Sequence, residues 1–354
     1  MTEGGTADLK SLYRKRRVRL RDFRSISGTR IINLLVPMAF RSSQGGVAET
    51  DRELRKVGTS LSAPVTELQP KPPTNSIFRH AVYVVADNPV TGLAFALFVL
   101  IALGALLGPH VVPFDPLASD TSATLQPPSL RHWFGTDLLG RDIFSRVVAA
   151  TRLDFAIAVA SVALVLVIGG LAGIAAGFFG GWTDRIVGRI SDTIMAFPLF
   201  VLAMGIVAAL GNTVTNIVIA TAIINFPLYV RVARAEANVR REAGFVQAAR
   251  LSGNGDLRIL LVHILPNIMP IMMVQISLTM GYAILNAAGL SFIGLGVKPP
   301  TPEWGIMVAE GATNIISGEW WVAFFPGGAL MIAVFCFNLL GDGLRDLVDP
   351  QRRT

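Results

Sequence analysis

The sequence predicts an all-α integral membrane protein with six transmembrane helices, and three observations carry that reading. Of its 354 residues 52% are hydrophobic, with a mean hydropathy of +0.55, which exceeds what an ordinary soluble domain carries. Apolar runs long enough to cross about 30 Å of hydrocarbon at about 1.5 Å rise per residue recur along the chain. The lone cysteine, Cys336, sits inside one of these runs. No disulfide framework or cysteine metal site can then be built within one chain, and Cys336 reads as a small apolar packing residue.

The first element is a basic extension, residues 1–80, ahead of a membrane domain over 81–354. The extension holds 15 Lys/Arg against 7 Asp/Glu, whereas the remainder is nearly balanced at 16 against 17. Eight of the basic residues fall in KSLYRKRRVRLRDFR, Lys10 to Arg24. Such a run favours anionic lipid headgroups. Nucleic-acid phosphates would need only the same charges, but membrane lipid is the stronger reading, and no nucleic-acid partner is expected. RIINLLVPMAF, Arg30 to Phe40, is too short to span and is expected in the membrane interface. APVTELQPKPPTNS reads as an extended proline-rich linker. No signal peptide is expected, because the first long apolar run begins only near Val90.

The spans follow in order: 90–107, 155–179, 193–210, 214–230, 268–290 and 320–340. Gly211-Asn212-Thr213 breaks the third from the fourth. Arginine is retained in cytoplasmic loops, and the connection between spans four and five carries Arg231, Arg234, Arg240, Arg241, Arg250 and Arg258. That asymmetry places both termini in the cytoplasm. The loop after span one, with Arg131, Arg141, Arg146 and Arg152 balanced by aspartates, is then external.

Catalysis within the chain is not expected. No Gly-Lys dipeptide exists to form a P-loop, no HExxH or GxSxG occurs, and the four histidines have no metal-ligand spacing. Neither a metal site nor a cofactor site is therefore expected. The predicted spans contain no Asp, Glu or Lys, although ion-coupled carriers place such groups in the membrane. A carrier working alone is thereby disfavoured. Pro198, Pro227, Pro266, Pro270 and Pro326 in or beside spans free backbone carbonyls and allow bends around a pathway.

The stretch VQAARLSGNGDLRILLVHILPN, Val246 to Asn267, predicts a docking knob between spans four and five. Gln247-Ala248-Ala249 would lie on a short helix whose alanines permit close approach. Gly253 would close that helix in the left-handed region, and Asp256 would cap a second helix running towards Leu265-Pro266.

With these residues in view, the chain resembles the permease subunits of bacterial ABC importers. Their EAA motif, Glu-Ala-Ala followed by Gly and then Ile-x-Leu-Pro, is matched by Gln247-Ala248-Ala249, Gly253 and His263-Ile264-Leu265-Pro266. It is similar in particular to the C-type subunit of dipeptide and oligopeptide importers through FGTDLLGRDIFSRV (Phe134 to Val147), GGWTDRIVGRISDTIMAFP (Gly180 to Pro198), GLSFIGLGVKPPTPEWG (Gly289 to Gly305) and NLLGDGLRDLVDP (Asn338 to Pro350). The likeness covers about residues 76–354. It implies the type I importer permease fold with a cytoplasmic coupling helix, in the bacterial inner membrane. The implied partners are a second homologous permease, two cytoplasmic ATPase subunits that bind ATP and Mg, and an extracytoplasmic peptide-binding protein. The coupling residues would be Gln247, Ala248, Ala249, Gly253, Asp256, Leu265 and Pro266. Contact with the binding protein would involve Phe134, Asp137, Arg141, Lys298 and Trp304. Gln247 stands where the family usually has glutamate, so it cannot supply that residue's charge to a pair with the ATPase, though its neutral amide can still hydrogen-bond. Nickel and glutathione are alternative cargoes within the same family.

Overall fold

The protein, seen in a computed structural model, is described over residues 89–348. The basic extension, with its lipid, interface and linker readings, lies outside the described residues. Every element named below is helical. α1, Pro89–Val111, is the first expected span, and its sequence holds no acidic residue, Lys or Arg. α2, Ile143–Val165, passes through a π-helical segment, Leu166–Gly170, into α3, Leu171–Phe179. Together they form one span candidate from Ile143 to Phe179.

The helix that carries the second expected span starts at Ile143, ahead of residue 155, and so bears Arg146 and Asp154. Charge truncated the hydropathy reading, but the charged groups are buried beside partners. Asp142 caps α2 by accepting from the Ser145 amide at 2.8 Å. Asp154 is buried and accepts from the Trp304 amide at 3.1 Å.

The third span is corrected. Residues 193–210 do not form one straight helix. α4, Gly181–Met195, is amphipathic and ends before Pro198; α5, Leu199–Leu210, follows at an angle of 89°. Proline disfavours helical backbone at the residue before it, so Phe197-Pro198 is where the chain turns. α6, Val214–Arg240, begins at a Thr213 cap and continues ten residues past the expected end at 230. α7 is Gly244–Leu251. A single long helix then starts with the short α8, Asp256–Arg258, widens into a π segment, Ile259–Ile264, and continues as α9, Leu265–Phe292. α10, Trp304–Ala312, and α11, Trp321–Val348, complete the chain. Among the described residues, five helical stretches are long and apolar enough to cross a membrane, or six if the bent α4–α5 pair counts as one span.

The packing uses small residues where backbones touch. Gly169, Gly173 and Gly177 recur every four residues on the face of the second span that meets α6. Without a hydrophobic force between helices in lipid, such close van der Waals packing holds the spans together. α9 packs on α11, and α1 on both α2 and α11. Cys336 is buried in this core, its thiol 3.5 Å from the Ala94 carbonyl.

Candidate functional site

The segment expected to serve as the docking knob is built on α7. Val246 and Ala249, three residues apart, are buried, and Val246 belongs to the same core cluster as Ile259, Leu260 and Ile264. That inner side fixes the helix to the π segment. The opposite side presents Phe245, Gln247, Ala248 and Leu251 to the outside, with Leu251 90% exposed. Leu257 and Leu261 extend the exposed apolar surface onto the next helix. Among the described residues Gln247 donates to the Glu242 carbonyl alone, at 3.2 Å, five residues back in the chain.

The end of α7 has the form expected for a glycine cap. Gly253 has φ +78°, its amide donates to the Arg250 carbonyl at 3.0 Å, and the Asn254 amide donates to Ala249 at 3.1 Å. The Asn254 side chain reaches the same Ala249 carbonyl at 3.0 Å. Asp256, by contrast, is not the cap. Gly255 holds that position, and Asp256 is the first helical residue, where a carboxylate favours the helix N-terminus through the dipole instead. Nor does the following helix stop near Leu265-Pro266. Pro266 has no N–H to donate back into the turn before it, and the wider π segment that precedes it accommodates the lost bond and the ring. Leu265 is half-buried and Pro266 exposed. Two polar contacts tie the segment to α3: the Arg250 guanidinium lies 5.4 Å from the Phe178 ring centre, and Arg241 Nη1 donates to the Gly177 carbonyl at 3.3 Å.

The residues expected on the external side are arranged differently. Asp137 Oδ2 accepts from Arg141 Nε at 2.6 Å, and its Oδ1 accepts from the Leu139 and Arg141 amides. Arg141 and Arg146 both face Glu310 of α10, at 3.3 and 3.7 Å. Arg146 Nη1 also donates to Pro116 O at 3.1 Å and Pro300 O at 3.4 Å. Trp304 Nε1 donates to the Val147 carbonyl at 3.0 Å, and Phe134 stacks on Phe325 with centroids 4.0 Å apart. Asp137, Arg141 and Trp304 are thus buried residues that pin the loop to α2 and α10. Lys298 is exposed and Phe134 half-buried.

Two features of this region were missed by sequence reasoning. His132 Nδ1 lies 2.9 Å from Asp142 Oδ1 inside the loop. Glu303, 0% exposed, caps α10 by accepting from the Gly305 and Ile306 amides at 2.9 and 2.8 Å, with Asp154 beside it. The first could have been suspected from the Asp142 cap position; the second joins residues about 150 apart and left no local signal.

Because Arg146 is the largest fully buried side chain and donates to two carbonyls, Arg146→Ala is expected to destabilise the chain by about 2–5 kcal/mol through the cavity it leaves. Thermal melting of the purified complex checks this. A melting temperature equal to that of the unmodified complex would contradict it.

Among the described residues no group of His, Cys, Asp or Glu is arranged to hold a metal. The model of the binding-protein-dependent transport system inner membrane component matches residues 169–354. The chain is 41% identical over 291 residues to the probable D,D-dipeptide transport system permease protein of Escherichia coli (strain K12), covering 82% of this chain and 97% of that protein. It is 44% identical over 266 residues to the di/tripeptide transport system permease protein of Pseudomonas aeruginosa (strain UCBPP-PA14), covering 73% and 87%. It is 42% identical over 258 residues to the nickel transport system permease protein of Escherichia coli (strain K12), covering 73% and 93%.

Proposed function

The chain belongs to the family of binding-protein-dependent transport system inner membrane components, and from that membership we infer how its parts serve transport. It is a multi-pass permease subunit of an ABC importer. We propose that its cargo is a di- or oligopeptide delivered by an extracytoplasmic binding protein. The observation that carries this is the 41% identity maintained along 97% of a D,D-dipeptide permease. The nickel and glutathione permeases, at 42% and 40% identity, keep those solutes as the second reading.

In this proposal the chain forms half of the pathway beside a second homologous permease. ATP and its magnesium belong to two cytoplasmic ATPase subunits. The exposed ridge of Phe245, Gln247, Ala248 and Leu251 receives their motion, and the anchors at Val246 and Ala249 pass it to the long α8–α9 helix. A rigid element with two arrangements is what such transmission requires. Lys298 and the surface of the loop that Asp137, Arg141 and Trp304 brace from beneath form the docking side for the binding protein.

The test is uptake into proteoliposomes holding the reconstituted partners, with labelled dipeptide and with nickel supplied to the loaded binding protein. ATP-dependent dipeptide accumulation is the expected result; accumulation of nickel alone would overturn the peptide assignment. Orientation is checked separately. A cysteine at exposed Thr301 should react with an impermeant thiol reagent added outside intact cells, and one at Ser252 should react only after the membrane is opened. The reverse pattern would invert the topology.

A further inference from the structure

Helix α4 leaves one face uncovered in this chain, and its geometry says in which plane that face lies. Near its start, Asp184 pairs with Arg234 of α6, Nε to Oδ1 at 2.6 Å. At its end, Met195 Sδ lies 3.0 Å from Arg231 Nη2. The two arginines are a single turn apart, about 4.5 Å along α6, whereas Asp184 and Met195 are separated by about 16 Å along α4. α4 therefore crosses α6 instead of running beside it. Since α6 is a span, α4 lies close to the membrane plane, at the end of α6 that leads into α7. The 89° turn into α5 agrees with this.

The uncovered face is two-toned. Trp182, Ile186 and Ile190, four residues apart, form an exposed apolar row, with Trp182 75% exposed. Arg185 and Arg189, also exposed, form a basic row alongside it, and the Arg185 guanidinium sits 5.5 Å from the Trp182 ring centre. Arg234 neutralises Asp184, which leaves Asp192 as the exposed acid of the helix. Exposed Arg231 adds another cation nearby.

We propose that α4 is an interfacial anchor whose apolar row enters the acyl boundary of the leaflet on the α7 side, while Arg185 and Arg189 bind the phosphates of anionic phospholipid. An in-plane amphipathic helix with cations bordering its apolar face has the charge and shape that a lipid surface selects. Arginine stems lie along apolar surface with their heads in the headgroup layer, and tryptophan concentrates at that depth. A second protein chain on this face would have to supply carboxylates for both guanidiniums. The inference holds whatever cargo the importer carries, so failure of the peptide assignment leaves it standing.

The experiment uses the assembled complex in vesicles of phosphatidylcholine with a minor share of phosphatidylglycerol, either lipid bearing a photoreactive acyl chain in turn. After irradiation, adducts are mapped by mass spectrometry. Both lipids are expected to label the segment 182–190. In the Arg185→Gln/Arg189→Gln complex, phosphatidylglycerol adducts there should fall at least about fivefold, the effect of a single arginine near an anionic surface. Phosphatidylcholine adducts should persist, which separates lost lipid selection from misfolding. Unchanged phosphatidylglycerol labelling in that variant would overturn the proposal. So would absence of any lipid adduct on 182–190 while the exposed Leu103–Leu107 row of α1 is labelled. A photoreactive residue at Ile186 that cross-links to the second permease subunit would assign the face to that subunit and overturn it equally.

Discussion

Gly253→Val is expected to lower uptake per ATP hydrolysed by about tenfold, and by more than Gln247→Ala does. Gly253 holds φ +78°, and a Cβ built there meets nothing within 4 Å. The penalty is therefore conformational and not steric crowding. A β-branched residue in the left-handed region is an outlier, with strain of about 1–3 kcal/mol. Each 1.4 kcal/mol is about a factor of ten in an equilibrium, so the strained cap yields to a backbone with negative φ. The bonds that close α7, Gly253 N to Arg250 O and Asn254 N to Ala249 O, would then be lost. With them goes the fixed angle between α7 and the long helix beginning at Asp256. Gln247→Ala removes one exposed amide that donates to Glu242, worth at most about 0.5–1.5 kcal/mol. Gly253→Asn, which tolerates the left-handed region, should retain most of the coupling. Paired ATPase and uptake rates in proteoliposomes, with subunit stoichiometry measured on the same samples, decide it. Uptake per ATP unchanged in a fully assembled Val variant would remove α7 from the transmission path.

Where local chemistry decides structure, the sequence could be read. α1 coincides closely with an uncharged run and α11 begins with one, continuing eight residues past the expected end at 340 through Asp342 and Arg345, and the left-handed glycine at 253 follows from its place after an Ala-rich turn. The third span failed because an apolar average over 193–210 hides a break; Pro198 and the amphipathic pattern from Trp182 onward were the signals, and the turn of 89° follows from them only once α6 is there to be crossed. The second helix begins ahead of its uncharged run for a different reason. Hydropathy assumes that a charge ends a buried helix, yet Arg146 and Asp154 are accommodated by Glu310, Pro300 and Trp304, all distant in sequence. The same distance explains the outer face. Nothing in FGTDLLGRD says that Asp137 and Arg141 turn inwards, because Glu310, the group that Arg141 meets, is 169 residues away. At the coupling segment, the error of one residue over Asp256 has a local cause: Gly255 supplies the extended backbone that precedes the helix, and an aspartate is equally at home on either side of that point.

The largest effect on the fold itself is expected from Gly173→Leu, which should abolish a stable complex. At Gly173 a Cβ would stand 2.6 Å from the Val230 carbonyl oxygen and 2.8 Å from the Ala233 Cβ; at Gly177 it would stand 2.5 Å from the Arg234 carbonyl oxygen. These contacts are with backbone oxygens and a Cβ, none of which a side-chain rotation can move aside. One methyl group would force α3 away from α6, and a leucine would part them for more than a turn. Overpacking typically costs about 1–3 kcal/mol even where side chains can adjust. Here the lost interhelical packing adds to it, because lipid supplies no hydrophobic drive to hold the helices together. The displacement also reaches the coupling segment, since Gly177 accepts from Arg241 and Phe178 lies under Arg250. Gly173→Ala should therefore retain some complex with a lowered melting temperature and weaker coupling. Gly170→Ala is the matched control on the same helical stretch: its Cβ would find contacts only at 3.7 and 4.0 Å, an ordinary fit. Melting curves and the yield of complex after size-exclusion in detergent read the series, with the order Gly170→Ala, Gly173→Ala, Gly173→Leu expected from most to least stable. If Gly173→Leu assembles and melts like Gly170→Ala, the second span and α6 do not meet backbone to backbone, and the arrangement that positions α7 falls with that contact.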